Sequence, residues 1–244
     1  VQYLHAVIRR SLGQAERWGL VNRNVARLVS PPRVPKAEVH PLKPAEVKQL
    51  LVAVQDDRLA ALYTVAIALG LRQGEALGLR WSDIDFEART LTVRTSLQWH
   101  DGKPELAEPK TAKSRRTVSL PDVCIEALHV HRGRQALESA GLGNAWENAE
   151  NLVFTREDGR PFTRSAVTHR FERILVAAGI PKRRFHDLRH TCATLLLAQG
   201  VPLKVIQELL GHSLMSTTAD IYATVLPVLM TDAADRMDAI FQGS

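Results

Sequence analysis

The stretch Phe185–Tyr222 reads FHDLRHTCATLLLAQGVPLKVIQELLGHSLMSTTADIY, and the rest of the chain is best understood outward from it. His186 and Arg189 stand three apart at the start of an apolar run, so a helix there places both side chains on one face. His212 and Tyr222 follow a second short helix. Two imidazoles, a guanidinium and a phenol at these spacings suit a phosphodiester.

The basic run Pro181–His190 (PKRRFHDLRH) leads straight into this stretch, and a second basic run, Lys110–Arg116 (KTAKSRR), lies upstream. Over 244 residues the chain carries 32 basic and 26 acidic side chains, a formal charge of +6. That balance alone points only mildly to a polyanion, and a solvated basic surface is equally compatible with it. The clustering beside the two histidines is what favours a phosphate-binding face.

Further upstream, Gly70 is placed to end a very apolar helix, predicted over Arg58–Leu69, and GLRQGEALGLRWSDID follows. Arg72 falls at that junction with Glu75 three residues on. Taken alone the pair is a surface ion pair on a short helix, worth about 0.3 kcal/mol. Residues 90–99 alternate and are rich in β-branched side chains, predicting a strand; His100–Lys103 signals a turn, and Arg115–Leu120 a second strand. Lys110 and Lys113 lie between the strands, where a lysine is commonly a solvated edge charge but is also placed to reach into a groove.

Helices are predicted from Pro44 to about Val54, from Asp122 to about Ala140, and from a Thr163 cap to Ala178, with Gly179-Ile180-Pro181 as the stop. A short strand is predicted over Asn151–Thr155. The opening residues have a helical face (Leu4, Val7, Ile8, Leu12, Ala15, Trp18) and a second helical piece over Asn24–Leu28. Five prolines between Pro31 and Pro44 then exclude a continuing helix, so residues 30–41 read as a linker. The fold class expected is mainly α with a small antiparallel β-sheet (α+β).

An apolar content of 45% fits an ordinary globular chain, and no run approaches the ~18 apolar residues of a membrane span. The cytoplasm, with association with the nucleoid when DNA is bound, is the expected location. Cys124 and Cys192 sit in helical, mostly apolar contexts that suit reduced, buried thiols. No His, Asp and Glu grouping has metal-ligand spacing, so no metal and no cofactor is expected.

His-x-x-Arg alone recurs by chance. Preceded by Arg72-x-x-Glu75 and a hairpin lysine, and followed by Leu210-Gly211-His212 and then Tyr222, its order is specific. The chain resembles the tyrosine recombinases, the phage integrase family. The resemblance covers Pro41–Phe241, a catalytic domain, and Ser11–Leu28 (SLGQAERWGLVNRNVARL) is similar to the last two helices of that family's core-binding domain. The organisation it implies is a core-binding remnant over 1–29, the linker over 30–41 and the catalytic domain with a tail helix over 42–244, with further helices expected before Val1.

By this resemblance Arg72, Lys110, His186, Arg189 and His212 are catalytic and Tyr222 is the nucleophile. The chemistry fits independently. Forked guanidiniums of Arg72 and Arg189 match the non-bridging oxygens of a phosphodiester as charge gathers on them during in-line attack. Tyr222, with a reference pKa of about 10, needs a base or strongly positive surroundings. His186 is the candidate base and His212 a donor to a phosphate oxygen, with the two roles open to exchange. Lys110 is placed to protonate the departing 5′ oxygen, and Lys113 is the competing assignment, otherwise a contact to the DNA backbone. Glu75 orients Arg72; Arg33, Lys36, Arg115, Lys182, Arg183 and Arg184 are further backbone candidates. Asp187 and His190 are assigned to packing or helix-end hydrogen bonds, and Trp81 and Trp99 to packing.

The activity implied is site-specific DNA recombination through a 3′-phosphotyrosine, independent of metal. The alternatives are strand relaxation of the type IB topoisomerase kind and a catalytically silent DNA-binding module. The implied partners are double-stranded DNA, a homotetramer in the DNA synapse from a free monomer, and an accessory DNA-bending or directionality factor. An apolar tail (Val228, Leu229, Met230, Ala233, Met237, Ile240, Phe241) is expected to dock on the next protomer.

Overall fold

The computed structural model describes residues 1–32, 40–108 and 115–211. Arg33, Lys36, Lys110, Lys113, His212, Tyr222 and the tail lie outside the described residues. The chain divides into two compact units, Val1–Val39 and His40–Ser244.

In the first unit, helix α1 (Gln2–Arg17) buries none of its residues. A 3₁₀ turn, Val25–Arg27, follows where a short helix was predicted, and the Asn24 side chain accepts from the Ala26 amide to start it. Asn24 also donates through Nδ2 to the Arg9 carbonyl (2.7 Å), and the His5 ring bonds the Ala26 carbonyl (3.0 Å), so polar groups hold the turn to α1.

The second unit is built on α3 (Ala60–Leu69), which buries eight of its ten residues and packs against α5 (Asp122–Leu142) and α7 (Asp187–Ala198). A helix apolar all round belongs in a core. Helix α2 (Pro44–Ala53) begins on proline, with Glu46 accepting from the Lys43 amide, and α6 (Arg164–Ala177) begins on Thr163, whose hydroxyl accepts from Ala166 N. Where α3 and α6 meet the chain before α7, Tyr63 stacks on Phe171, and Phe185 meets Tyr63 at a tilt and Phe171 edge-on.

Two small antiparallel sheets complete the unit. One orders β1 (Ile84–Asp85), β2 (Thr90–Val93) and β5 (Arg116–Ser119); the other pairs β3 (Ser96–His100) with β4 (Lys103–Ala107). The strand predicted over 90–99 is therefore two strands in different sheets. The break is at Arg94-Thr95, where Thr95 donates to the Gly78 carbonyl (2.8 Å) and Arg94 pairs with Asp83 (3.1 Å), so this segment bonds across the fold instead of extending the ladder. The β3–β4 turn is Asp101-Gly102, both at positive φ, as a two-residue hairpin requires.

The strand predicted over Asn151–Thr155 is reduced to isolated bridges, Arg80 with Leu152 and Thr155 with Pro161. Side chains from α5 take the carbonyls a ladder would use: Gln135 Nε2 donates to Leu152 and Val153, and His131 bonds Val153 at 2.7 Å. Both cysteines are free and buried. Among the described residues no helix is long and apolar enough to cross a membrane.

Candidate active site

Helix α3 ends at Gly70 in the left-handed conformation, and two residues later Arg72 opens the short helix α4 (Gln73–Leu77). An added Cβ at Gly70 would stand 2.3 Å from a Leu210 methyl and 3.3 Å from Cys192, so both φ and space call for glycine. This junction leaves the Arg72 side chain 40% exposed.

Glu75 organises the arginine. Its Oε1 accepts from Arg72 Nη1 (2.6 Å), while Oε2 accepts from the Arg72 amide (3.0 Å) and from Arg116 Nη2 (3.0 Å). Burial alone would raise this carboxyl; Arg116, ahead of the Arg72 amide and guanidinium, pulls it below the usual carboxylate range. Glu75 is thus a buried acid between two arginines, a stronger arrangement than an exposed i, i+3 pair.

Helix α7 brings His186 and Arg189. Its first turn is held by Asp187, which accepts from the Arg184 amide (2.8 Å) and pairs with the Arg184 guanidinium (2.9 Å). Arg189 is 1% exposed. Its Nη1 donates to the Gly70 carbonyl (2.6 Å) and its Nη2 to the Leu210 carbonyl, so it bonds the chain just before Arg72 and just before Gly211. Burial, with repulsion from Arg72, pushes its pKa down to about 9, which leaves it charged at neutral pH.

His186 caps α7, its ring T-shaped against His190 at 5.0 Å. The protein packed around it, followed by repulsion from His190 and Arg189, holds its pKa down at about 4, although the residue is exposed. The imidazole is therefore neutral at pH 7 and has a lone pair to offer. Helix α8 (Leu203–Leu210) then ends at Gly211, again left-handed, immediately before His212.

The structure therefore brings together Arg72, Glu75, His186 and Arg189. Arg72 and Arg116 bond the Glu75 carboxylate, and Arg189 is near enough to feel the charges of Glu75, Arg72 and Arg116. The excess positive charge suits an anion, and Arg72 is the exposed member that can meet one. Among the described residues no His, Cys, Asp and Glu cluster is arranged to hold a metal ion.

Three of the remaining basic candidates have acidic partners: Lys182 pairs with Glu172 (3.0 Å), half-buried Arg183 with Glu46 (3.6 Å) and Arg184 with Asp187, while Arg115 is exposed. Arg116 escaped the reading of the sequence, although strand alternation could have found it. Val118 and Leu120 are buried, so a strand carrying them inward carries Arg116 inward as well and turns Arg115 out.

A family model described as the phage integrase family matches residues 41–227. The chain belongs to the phage integrase family. It is 40% identical over 217 residues to a XerC-like tyrosine recombinase of Caldanaerobacter subterraneus subsp. tengcongensis, covering 84% of this chain and 56% of that relative. An integrase of Saccharopolyspora erythraea is 29% identical over 293 residues, covering 99% of this chain and 67% of its own. Among solved structures, Tn1549 transposon integrase in complex with a circular intermediate DNA shares the fold, with a TM-score of 0.72, 21% identity and coverage of 91% and 73%. XerA recombinase aligns with a TM-score of 0.65 and 27% identity, over 84% of this chain and 67% of its own. This integrase-family chain thus spans little more than half of its XerC-like relative.

Proposed function

We propose that this chain is the catalytic portion of a site-specific DNA recombinase that cuts one strand, holds it as a 3′-phosphotyrosine on Tyr222 and passes it to the 5′ hydroxyl of another strand. The observation that carries the reading is the convergence of Arg72 from the start of α4 with neutral His186 and Arg189 from α7, with Glu75 ordering the first of them. Arg72, the exposed guanidinium, held in place before the reaction and backed by the buried charge of Arg189, stabilises charge that develops on the phosphate in the transition state without reorganising as it forms. In this scheme neutral His186 accepts the phenol proton, His212 donates to a phosphate oxygen, and Lys110 protonates the 5′ oxygen as the P–O bond breaks. The bond energy stays in the phosphotyrosine, so rejoining needs no nucleotide cofactor.

Double-stranded DNA is the substrate, and the Tn1549 integrase in its DNA complex supports that choice. The assembly is a homotetramer on DNA formed from free monomers, with the tail beyond Pro227 docking on the next protomer. Relatives named integrase and tyrosine recombinase favour strand exchange over the relaxation of a type IB topoisomerase.

The test is incubation with a nicked suicide half-site, in the presence of a chelator, followed by a denaturing gel. A covalent protein–DNA adduct is expected for the parent chain and not for Tyr222→Phe. An adduct that persists in Tyr222→Phe removes the nucleophile assignment. Tight binding with no adduct from either protein supports the silent binding module instead.

A further inference from the structure

We propose that Arg116 is a positioning residue of the strand-cutting centre, a single guanidinium that fixes α4 and the C-terminal end of α8 to β5; as a statement about catalysis it rests on the activity proposed above. Arg116 Nε donates to the Leu209 carbonyl at 2.6 Å, and Nη2 donates to Glu75 Oε2 at 3.0 Å. The Arg116 and Glu75 side chains are 7% and 6% exposed. Glu75 in turn holds both the amide and the guanidinium of Arg72.

The bridge joins segments that lie far apart in sequence. Arg116 sits on β5 opposite Val93, so its backbone is fixed by the sheet, and the preceding residues of the same segment carry Lys110. Leu209 and Leu210 are the last residues of α8, and His212 follows Gly211. The carbonyls of Leu209 and Leu210 accept from Arg116 and Arg189 respectively. Two guanidiniums at the negative end of the helix dipole satisfy carbonyls that the helix leaves open. Arginine suits this place because its planar fork can serve a carboxylate and a carbonyl at once, which an ammonium on a flexible stem does poorly.

A role as a DNA phosphate contact fits less well. A side chain 7% exposed would have to leave both partners to reach the duplex, stranding a buried carboxylate and an open carbonyl. The geometry points to an effect on the placement of Arg72 and of the C-terminal end of α8, and not on affinity.

The experiment uses the full chain and compares Arg116→Met, Arg116→Lys, Glu75→Gln and the double variant Arg116→Met/Glu75→Gln. Adduct formation at saturating half-site DNA is expected to slow by roughly 10- to 100-fold in Arg116→Met, with Kd for DNA within about 2-fold of the parent. Arg116→Lys should stay slow, and the double variant should be about as slow as the slower single, because both lie on one bridge. Arg170→Met, which breaks an ion pair with Asp57 on a different helix contact, controls for lost stability and should leave the rate unchanged.

Amide exchange in the DNA-free protein supplies a readout that does not depend on activity. Arg116→Met should loosen peptides covering 72–77 and 203–211 together. Loosening of neither or only one, a rate within 2-fold of the parent, full rescue by lysine, or a weaker Kd with an unchanged saturated rate would each overturn the proposal. If Arg116→Met does not fold, Glu75→Gln, which keeps the side-chain volume, decides by the same criteria. A parent chain that makes no adduct while the two peptides loosen together sinks the activity and leaves the positioning role standing.

Discussion

His186 shows how a residue's environment can prepare it for one task. Protein packed around the ring and the nearby His190 and Arg189 hold its pKa at about 4, so it is a neutral base when phosphate-free. The acid limb of the adduct-forming rate at subsaturating DNA, which reports the free enzyme, should therefore lie below the ordinary histidine range, toward pH 4. At saturating DNA the bound phosphate's negative charge should move that limb upward. A limb near 6.5 that does not move with DNA concentration would count against His186 as the base. Stability follows the same depressed pKa. As pH falls below about 6.5 the unfolded state takes up the proton first, so this contribution, full above 6.5, is lost on the way down to about 4. His186→Gln should lose less stability than the parent over that interval in a urea melt at each pH. The pairing of His186 with Arg189 was legible from their spacing, but the depression of the pKa was not. It arises first from burial, which only tertiary packing supplies, then from His190 and Arg189 on the same helix and from Arg72 at the start of α4.

At the scale of elements, glycines decide how close α4 comes to β3. A Cβ on Gly78 would stand 2.8 Å from the Leu97 amide nitrogen and 3.2 Å from the Ser96 carbonyl carbon, and one on Gly74 would stand 3.1 Å from the Leu97 carbonyl oxygen. These are mostly backbone atoms, which cannot swing away. Gly78→Ala should therefore cost about 1–3 kcal/mol of stability. Because Arg72 and Glu75 ride on α4, it should also slow adduct formation beyond what the fraction unfolded explains. Gly133, inside α5 with nothing within 4 Å of its would-be Cβ, gives the contrast. Gly133→Ala should stabilise the protein by about 0.5–1 kcal/mol and leave the rate alone, since it only removes backbone freedom from a helix interior. Thermal midpoints and single-turnover rates of the two variants check both statements, and equal behaviour would remove the claim of close packing. Helix ends were readable in advance: Thr163, Pro44 and Gly70 each act through local backbone chemistry. The split of residues 90–99 into two strands was not, because Thr95 leaves the ladder for the Gly78 carbonyl, a partner that only tertiary folding supplies. Arg116 stands between these cases. Its inward parity was visible beside Val118 and Leu120, but its partners Glu75 and Leu209 were not.

At the scale of the whole molecule, the described residues build a site whose parts hold one another in place. Arg189 bonds the chain before Arg72 and before Gly211, and Arg116 joins β5 to α4 and α8. The apolar residues of the tail past Pro227, Val228, Leu229, Met230, Ala233, Met237, Ile240 and Phe241, lie outside the described residues. If the proposed role of that tail is right, cutting and assembly are separable. A chain ending at Pro227 keeps Tyr222 and every group named in the cut, but it loses the apolar segment assigned to the next protomer. It should form adduct on an isolated half-site within a few-fold of the parent, while the tetrameric synapse on paired full sites, measured by light scattering, should weaken by roughly 10-fold or more. Closed assemblies need every protomer to give and receive the same contact, so one lost segment is lost at every interface. The reverse order, with cleavage failing first and the synapse intact, would mean that the tail serves the site of its own chain.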